Sequence, residues 1–136
     1  MSVVTELIKT EVNGALSFGN YELASKAKLE DYECGGNLYK VKTFKEMTKL
    51  EKDGMFVYES VPGTAVHDFT TTADGVDFKV NGNEDAQIIV GLMEDSEYEV
   101  FIDGKSSGKM KTSLGGKLNL SVELAGNGDV LVEIKK

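Results

Sequence analysis

Phe56-Val-Tyr-Glu-Ser-Val-Pro-Gly-Thr-Ala-Val-His-Asp-Phe69 is the longest apolar and aromatic run in the chain, and it holds the only proline and the only histidine. Val, Tyr, Phe and Thr favour extended backbone, whereas Pro-Gly marks a turn. Read as a two-residue loop, Pro62-Gly63 sets Val61 against Thr64. Pairing outward, Phe56 then faces Phe69, Tyr58 faces His67 and Ser60 faces Ala65 on one side of a hairpin. Glu59, Val66 and Asp68 occupy the other side. Pro-Gly suits a type II turn better than the primed turns of tight hairpins, so this register is conditional on the loop.

Outward from that run, turn signals recur at Asn13-Gly14, Asp53-Gly54, Asp74-Gly75, Asn81-Gly82, Asp103-Gly104, Gly115-Gly116 and Gly126-Asn127-Gly128. Downstream, Val76, Phe78 and Val80 alternate with polar residues, as do Ile88, Val90 and Leu92, and then Tyr98, Val100 and Ile102. The same holds for Leu118, Leu120, Val122 and Leu124, and for Val130, Val132 and Ile134. Period-two alternation buries one face of each strand. A less apolar strand near 109–113 brings the second half to about six strands, enough for a small two-layer sandwich.

Upstream, 5–9 and 15–18 form a strand pair around Val12-Asn13-Gly14, and 38–42 is a strand. The charged segment 22–33 is a short helix, a loop or an edge strand. Residues 43–52 carry two signals. Thr43 with Glu46 matches a capping box, followed by Phe44, Met47 and Leu50 on one helical face. Asp53-Gly54 between Leu50 and Val57 instead signals a hairpin, and the extended sequence that follows favours it. The expected fold is all-β: an antiparallel β-sandwich with Ig-like or Greek-key character in its C-terminal half and at most one short helix. It forms a single domain, 1–136, or two packed subdomains meeting near 70–73. In that case 1–71 supplies N-terminal hairpins and 72–136 a small β-sandwich.

Composition narrows the function. The 136 residues are 40% hydrophobic and 28% charged, which places the chain among globular proteins large enough to bury a core. The net charge of −8 disfavours nucleic acid and anionic membranes, whose phosphates need a positive field. All fifteen basic residues are lysines, so the bidentate carboxylate and phosphate clamps that arginine provides are missing. Cys34 stands alone, which excludes an internal disulfide and fits a reducing compartment. The N-terminal sequence has neither a basic segment before a long apolar core nor a spanning stretch, and the cytoplasm is the expected location.

Catalytic constellations are sparse. His67 is the one imidazole. A hydrolytic triad would join it to Ser60 or Ser17 and an acid such as Asp68, but the hairpin register points Asp68 away, and no Gly-x-Ser-x-Gly elbow is present. Packing of His67 beside Tyr58 is the plainer expectation. Cys34 sits among Glu30, Asp31 and Glu33, which oppose a thiolate. A two-carboxylate hydrolase would draw on Glu59, the acid inside the apolar run, although a solvent-facing strand residue explains it more simply. Asn81-Gly-Asn-Glu-Asp85 is rich in oxygens but lacks EF-hand spacing. Without HExxH, CxxC, P-loop or GxGxxG, no metal and no cofactor is assigned.

Two stretches bear a likeness to known proteins. Gly91-Leu-Met-Glu-Asp-Ser-Glu-Tyr-Glu-Val-Phe-Ile-Asp-Gly104, followed by Lys111-Thr-Ser-Leu-Gly-Gly-Lys-Leu-Asn-Leu-Ser-Val122, resembles immunoglobulin-like β-sandwich modules appended to bacterial polysaccharide-acting enzymes. The chain as a whole is similar to a group of small bacterial all-β proteins labelled endosialidase. Leu38-Tyr-Lys-Val-Lys-Thr-Phe-Lys-Glu and Val57-Tyr-Glu-Ser-Val-Pro-Gly-Thr-Ala-Val66 carry that likeness. Sialidases grip the sialate carboxylate with arginines, and with none here no catalytic residue carries over. The resemblance implies an association with carbohydrate.

The leading expectation is a non-catalytic binding or accessory module, with tyrosines as its platform. Tyr58, Tyr39 and Tyr21 are the candidates, because a phenol stacks on a sugar while its hydroxyl bonds outward. Tyr98 alternates with Val100 and Ile102 and is expected in the core. The alternatives are a small glycan hydrolase using Glu59 or His67, and a structural protein that self-associates through strand edges. A glycan, a protein or a second copy are the partners considered.

Overall fold

The computed structural model describes residues 3–136. They form thirteen strands and no helix. In chain order these are β1 (Ile8–Thr10), β2 (Leu16–Phe18), β3 (Ala27–Cys34), β4 (Asn37–Phe44), β5 (Met47–Lys52), β6 (Met55–Val61) and β7 (Ala65–Thr71). They continue as β8 (Gly75–Asn81), β9 (Ala86–Gly91), β10 (Glu97–Ile102), β11 (Lys105–Lys111), β12 (Lys117–Val122) and β13 (Val130–Lys135). Seven strands make one antiparallel sheet in the order β1-β2-β7-β8-β13-β10-β11. The other six make a second, β12-β9-β6-β5-β4-β3. The two sheets pack face to face as a β-sandwich.

The alternating sets of the second half lie where period two places them. Val76, Phe78 and Val80 on β8, Leu118, Leu120 and Val122 on β12, and Val130, Val132 and Ile134 on β13 are all buried. Tyr98 is in the core, at 4% exposure. Between the sheets, Tyr58 of β6 meets Phe18, Phe69 and Phe78 of the opposite sheet edge to face, at centroid distances of 5.3, 6.4 and 5.7 Å. Each such pair adds about 1 kcal/mol to the area it buries.

The hairpin signal wins over the helix signal at 43–52. Residues of β4 and β5 pair from Tyr39↔Lys52 to Phe44↔Met47, and β5 turns into β6 at Asp53-Gly54. Both turn residues take positive φ, 51° and 80°, as a type I′ turn requires. The charged segment 22–33 resolves in its last part into the edge strand β3.

The Pro62-Gly63 reading is corrected. β6 and β7 do not pair; they belong to different sheets, so the link between them crosses from one sheet to the other at one end of the sandwich. The facing pairs Phe56 with Phe69, Tyr58 with His67 and Ser60 with Ala65 therefore do not form. β6 pairs with β5 and β9, and β7 with β2 and β8. Proline brings no donor to a ladder, and Val61-Pro62 is cis. Gly63 is wedged against β4: its N–H donates to the Lys45 carbonyl at 3.0 Å, and a Cβ there would lie 2.0 Å from the Phe44 carbonyl oxygen.

Buried hydroxyls lock the crossover. Thr48 Oγ1 donates to the Thr64 carbonyl at 2.8 Å and accepts the Thr64 N–H at 3.1 Å. With its one proton so used, Thr48 accepts from Thr43 Oγ1 at 2.8 Å, and Thr43 in turn accepts the Asn20 N–H. Thr64 Oγ1 also bonds Tyr58 OH and Ser60 Oγ, each at 2.8 Å. Both sheets run across the 70–73 stretch without a break, since β7 pairs with β8 and β6 with β9.

Candidate functional site

Strand directions sort the loops to two ends of the sandwich. At one end lie loops 11–15, 35–36, 53–54, 72–74, 92–96 and 112–116. Between the sheets at that end opens a cleft of about 420 Å³. Leu16, Val57, Phe69, Val76 and Leu92 give it apolar walls, and Asn13, Asn37, Thr70 and Thr71 contribute polar groups. Among the described residues Lys52 is the one charged side chain of the lining.

Tyr39 reaches this cleft because β4 places it on the inward side. It shares that side with the buried Val41 and Thr43, but lies where the opposite sheet no longer covers it. It stands opposite Tyr32 on β3 and Lys52 on β5, so two tyrosines and a lysine form one cross-strand row. Tyr32 is anchored through its hydroxyl to Thr10 Oγ1 at 2.8 Å. Burial, aided by Cys34 and Asp53, pushes the Tyr39 phenol above its ordinary pKa, so it is a neutral hydrogen-bonding group throughout the physiological range.

The other candidates fall elsewhere. Tyr58, proposed as part of a surface platform, is fully buried; its inward register and hydroxyl bonds to Thr64 fix it in the core, where desolvation drives its phenol well above the usual range. Tyr21 lies at the far end beside Pro62 and Gly63, donating to Asn81 Oδ1 at 2.8 Å. Tyr21 and Tyr39 therefore cannot share one ligand face.

His67 pairs with Lys79 on β7–β8, and the inward course of Val66 turns it to the outer side of its sheet. Ser60 is buried in the crossover network. Ser17, also buried, donates to Glu11 Oε2 and accepts the Asp68 N–H at 3.2 Å. Glu59 alternates with the inward Tyr58 and Ser60, and stands opposite Lys49 on the outer face of the six-stranded sheet. Cys34 closes the β3–β4 hairpin and lines the cleft.

Carboxylates show the same pattern. Asp77 and Glu133 are cross-strand partners on the outer face of the seven-stranded sheet, and neither lines the cleft. Desolvation, then repulsion from Glu133, raises the Asp77 pKa, while Lys135 opposes the shift. Two residues of the oxygen-rich 81–85 loop spend a side-chain oxygen internally. Asn81 Oδ1 accepts from Tyr21, and Asp85 Oδ1 accepts the N–H groups of Leu124 and Ala125. Among the described residues no group of three or more His, Cys, Asp or Glu side chains could hold a metal ion. Among the described residues no helix is long and apolar enough to cross a membrane.

Reading the sequence alone missed Asn13, Asn37, Lys52, Thr70 and Thr71 as cleft residues. The available signal was positional: each lies within or beside a turn at the same end once the strand directions are known. No protein-family model matches the chain, and neither a curated protein nor a solved structure does.

Proposed function

We propose that the protein is a non-catalytic β-sandwich binding module whose ligand seat is the end cleft and whose ligand is a carbohydrate. The observation that carries this reading is the pair Tyr39 and Lys52, cross-strand partners in the cleft wall. They set an aromatic ring and a cation beside Asn37, Asn13, Thr70 and Thr71. A sugar ring offers a C–H face to an aromatic side chain and hydroxyls to amides and threonines, and this lining supplies both kinds of contact. The serines that a nucleophilic mechanism would use are buried and engaged, which supports binding over turnover.

The test is titration of the isotope-labelled protein with neutral and acidic oligosaccharides, followed by amide chemical shifts. Shifts clustered on Asn37, Tyr39, Thr70 and Gly91 are expected. Tyr39→Ala should weaken binding about tenfold, the loss of roughly 1.4 kcal/mol of stacking. A folded protein that gives no shifts at the cleft across the panel, or a Tyr39→Ala variant that binds undiminished, overturns the assignment.

A further inference from the structure

Among the described residues six large hydrophobic side chains are strongly exposed, and five of them are at the cleft end: Val12 at 108%, Leu38 at 47%, Met55 at 72%, Met93 at 59% and Leu114 at 82%. Only Val61 lies at the other end. Val12 adjoins Asn13 of the lining, Leu38 lies between Asn37 and Tyr39, and Met93 follows Leu92. Leu114 is tied to the same rim, because the Leu92 N–H donates to the Gly116 carbonyl at 2.7 Å. Scattered exposed apolar residues need no explanation, but five of them gathered at one end of the sandwich do.

The same six loops contain Glu11, Asp53, Asp74, Glu94 and Asp95, and no lysine. Asp95 is paired with Lys111 at 3.1 Å, and Glu11 lies 3.9 Å from Lys9. Asp53 accepts the Leu38 N–H. Asp74 and Glu94 make no ion pair among the described residues. The other lysines near these loops are engaged: Lys52 in the cleft wall, Lys117 over the Phe56 ring, and Lys136 against Met93 Sδ and the Tyr98 ring. An apolar rim studded with carboxylates repels an anionic bilayer and attracts a partner that is both apolar and cationic. A second copy of this end would bring like charges together.

We propose that the rim of the cleft end docks a basic amphipathic segment of another protein, its apolar side meeting Val12, Met55, Met93 and Leu114 and its lysines or arginines meeting Asp74 and Glu94. This surface is distinct from the carbohydrate contacts inside the cleft, although a docked segment would cover the mouth.

The probe is a labelled 20-residue amphipathic helical peptide of leucine and lysine, followed by fluorescence anisotropy. Its comparisons are a scrambled peptide of equal composition, a leucine–glutamate counterpart, and vesicles of phosphatidylcholine with and without phosphatidylglycerol. Preferential binding of the amphipathic cationic peptide is expected, falling with salt. Val12→Ser/Leu114→Ser should weaken it at least tenfold and Asp74→Asn/Glu94→Gln several-fold, while Val61→Ser and Glu22→Gln at the other end change nothing.

Oligosaccharide shifts should survive the Val12→Ser/Leu114→Ser change, and peptide binding should survive Tyr39→Ala, so the two readings fail separately. The rim proposal is overturned if the scrambled or acidic peptide binds equally, if the far-end changes matter as much, or if vesicles bind in preference. Absence of peptide binding overturns it, as does a dimer that dissociates in the rim variant.

Discussion

At the scale of single residues, the sandwich uses hydroxyls where a simple core would use methyls. Thr43, Thr48, Ser60 and Thr64 are each 0% exposed, and every one is bonded. Buried polar groups are tolerable only on that condition, since a stranded donor or acceptor costs about 1–3 kcal/mol. Asp77 is the opposite case, a carboxyl whose surroundings favour its neutral form. Its folded pKa lies above the ordinary 3.8, so its stabilising contribution is complete below that value and is lost as pH rises through the folded value. Asp77→Asn, which keeps the size without the charge beside Glu133, is therefore expected to unfold at higher urea than the parent at pH 7. At pH 3 the two midpoints should coincide. Equal midpoints at pH 7 would show that Lys135 compensates fully.

At the scale of elements, the decisive segment is the one that leaves the six-stranded sheet at Val61 and enters the other at Ala65. Its glycine is required by contact, because a Cβ on Gly63 would strike the Phe44 backbone. Gly63→Ala should cost about 3 kcal/mol in denaturant unfolding, as overpacking against an immovable carbonyl does. Gly14→Ala, in an exposed turn with open space around it, should cost less, chiefly through its φ of 86°. A small loss at Gly63 would mean that β4 yields easily. Strand identity was legible because alternation at Phe78, Val100 or Leu120 is local. The destination of the Pro62-Gly63 link was not. A turn dipeptide reports that the chain bends, whereas pairing in one sheet or crossing to the other is decided by residues such as Thr48 and Phe44, distant in sequence.

At the scale of the whole molecule, both sheets are built from both halves of the chain. The aromatic cluster takes Phe18, Tyr58 and Phe69 from the first half and Phe78 from the second. A fragment 72–136 would expose the β9 edge that β6 covers and the β8 edge that β7 covers. That fragment alone is expected to show collapsed amide dispersion and no cooperative unfolding, while the full chain unfolds in one transition. A dispersed spectrum from the fragment would establish a self-sufficient unit. The cleft was illegible for a related reason. Tyr39, Lys52, Phe69 and Leu92 converge only after four separate hairpins and crossovers have set which end each faces, and no local pattern encodes that. The N-terminal Val4 donates to Gly19 at the end away from the cleft, whereas Lys136 donates to Asp74 at its mouth. Handles for immobilisation are therefore not interchangeable. A tether before Val4 holds the protein with its opening toward the solution, and one after Lys136 stands in the doorway and competes with whatever is being measured.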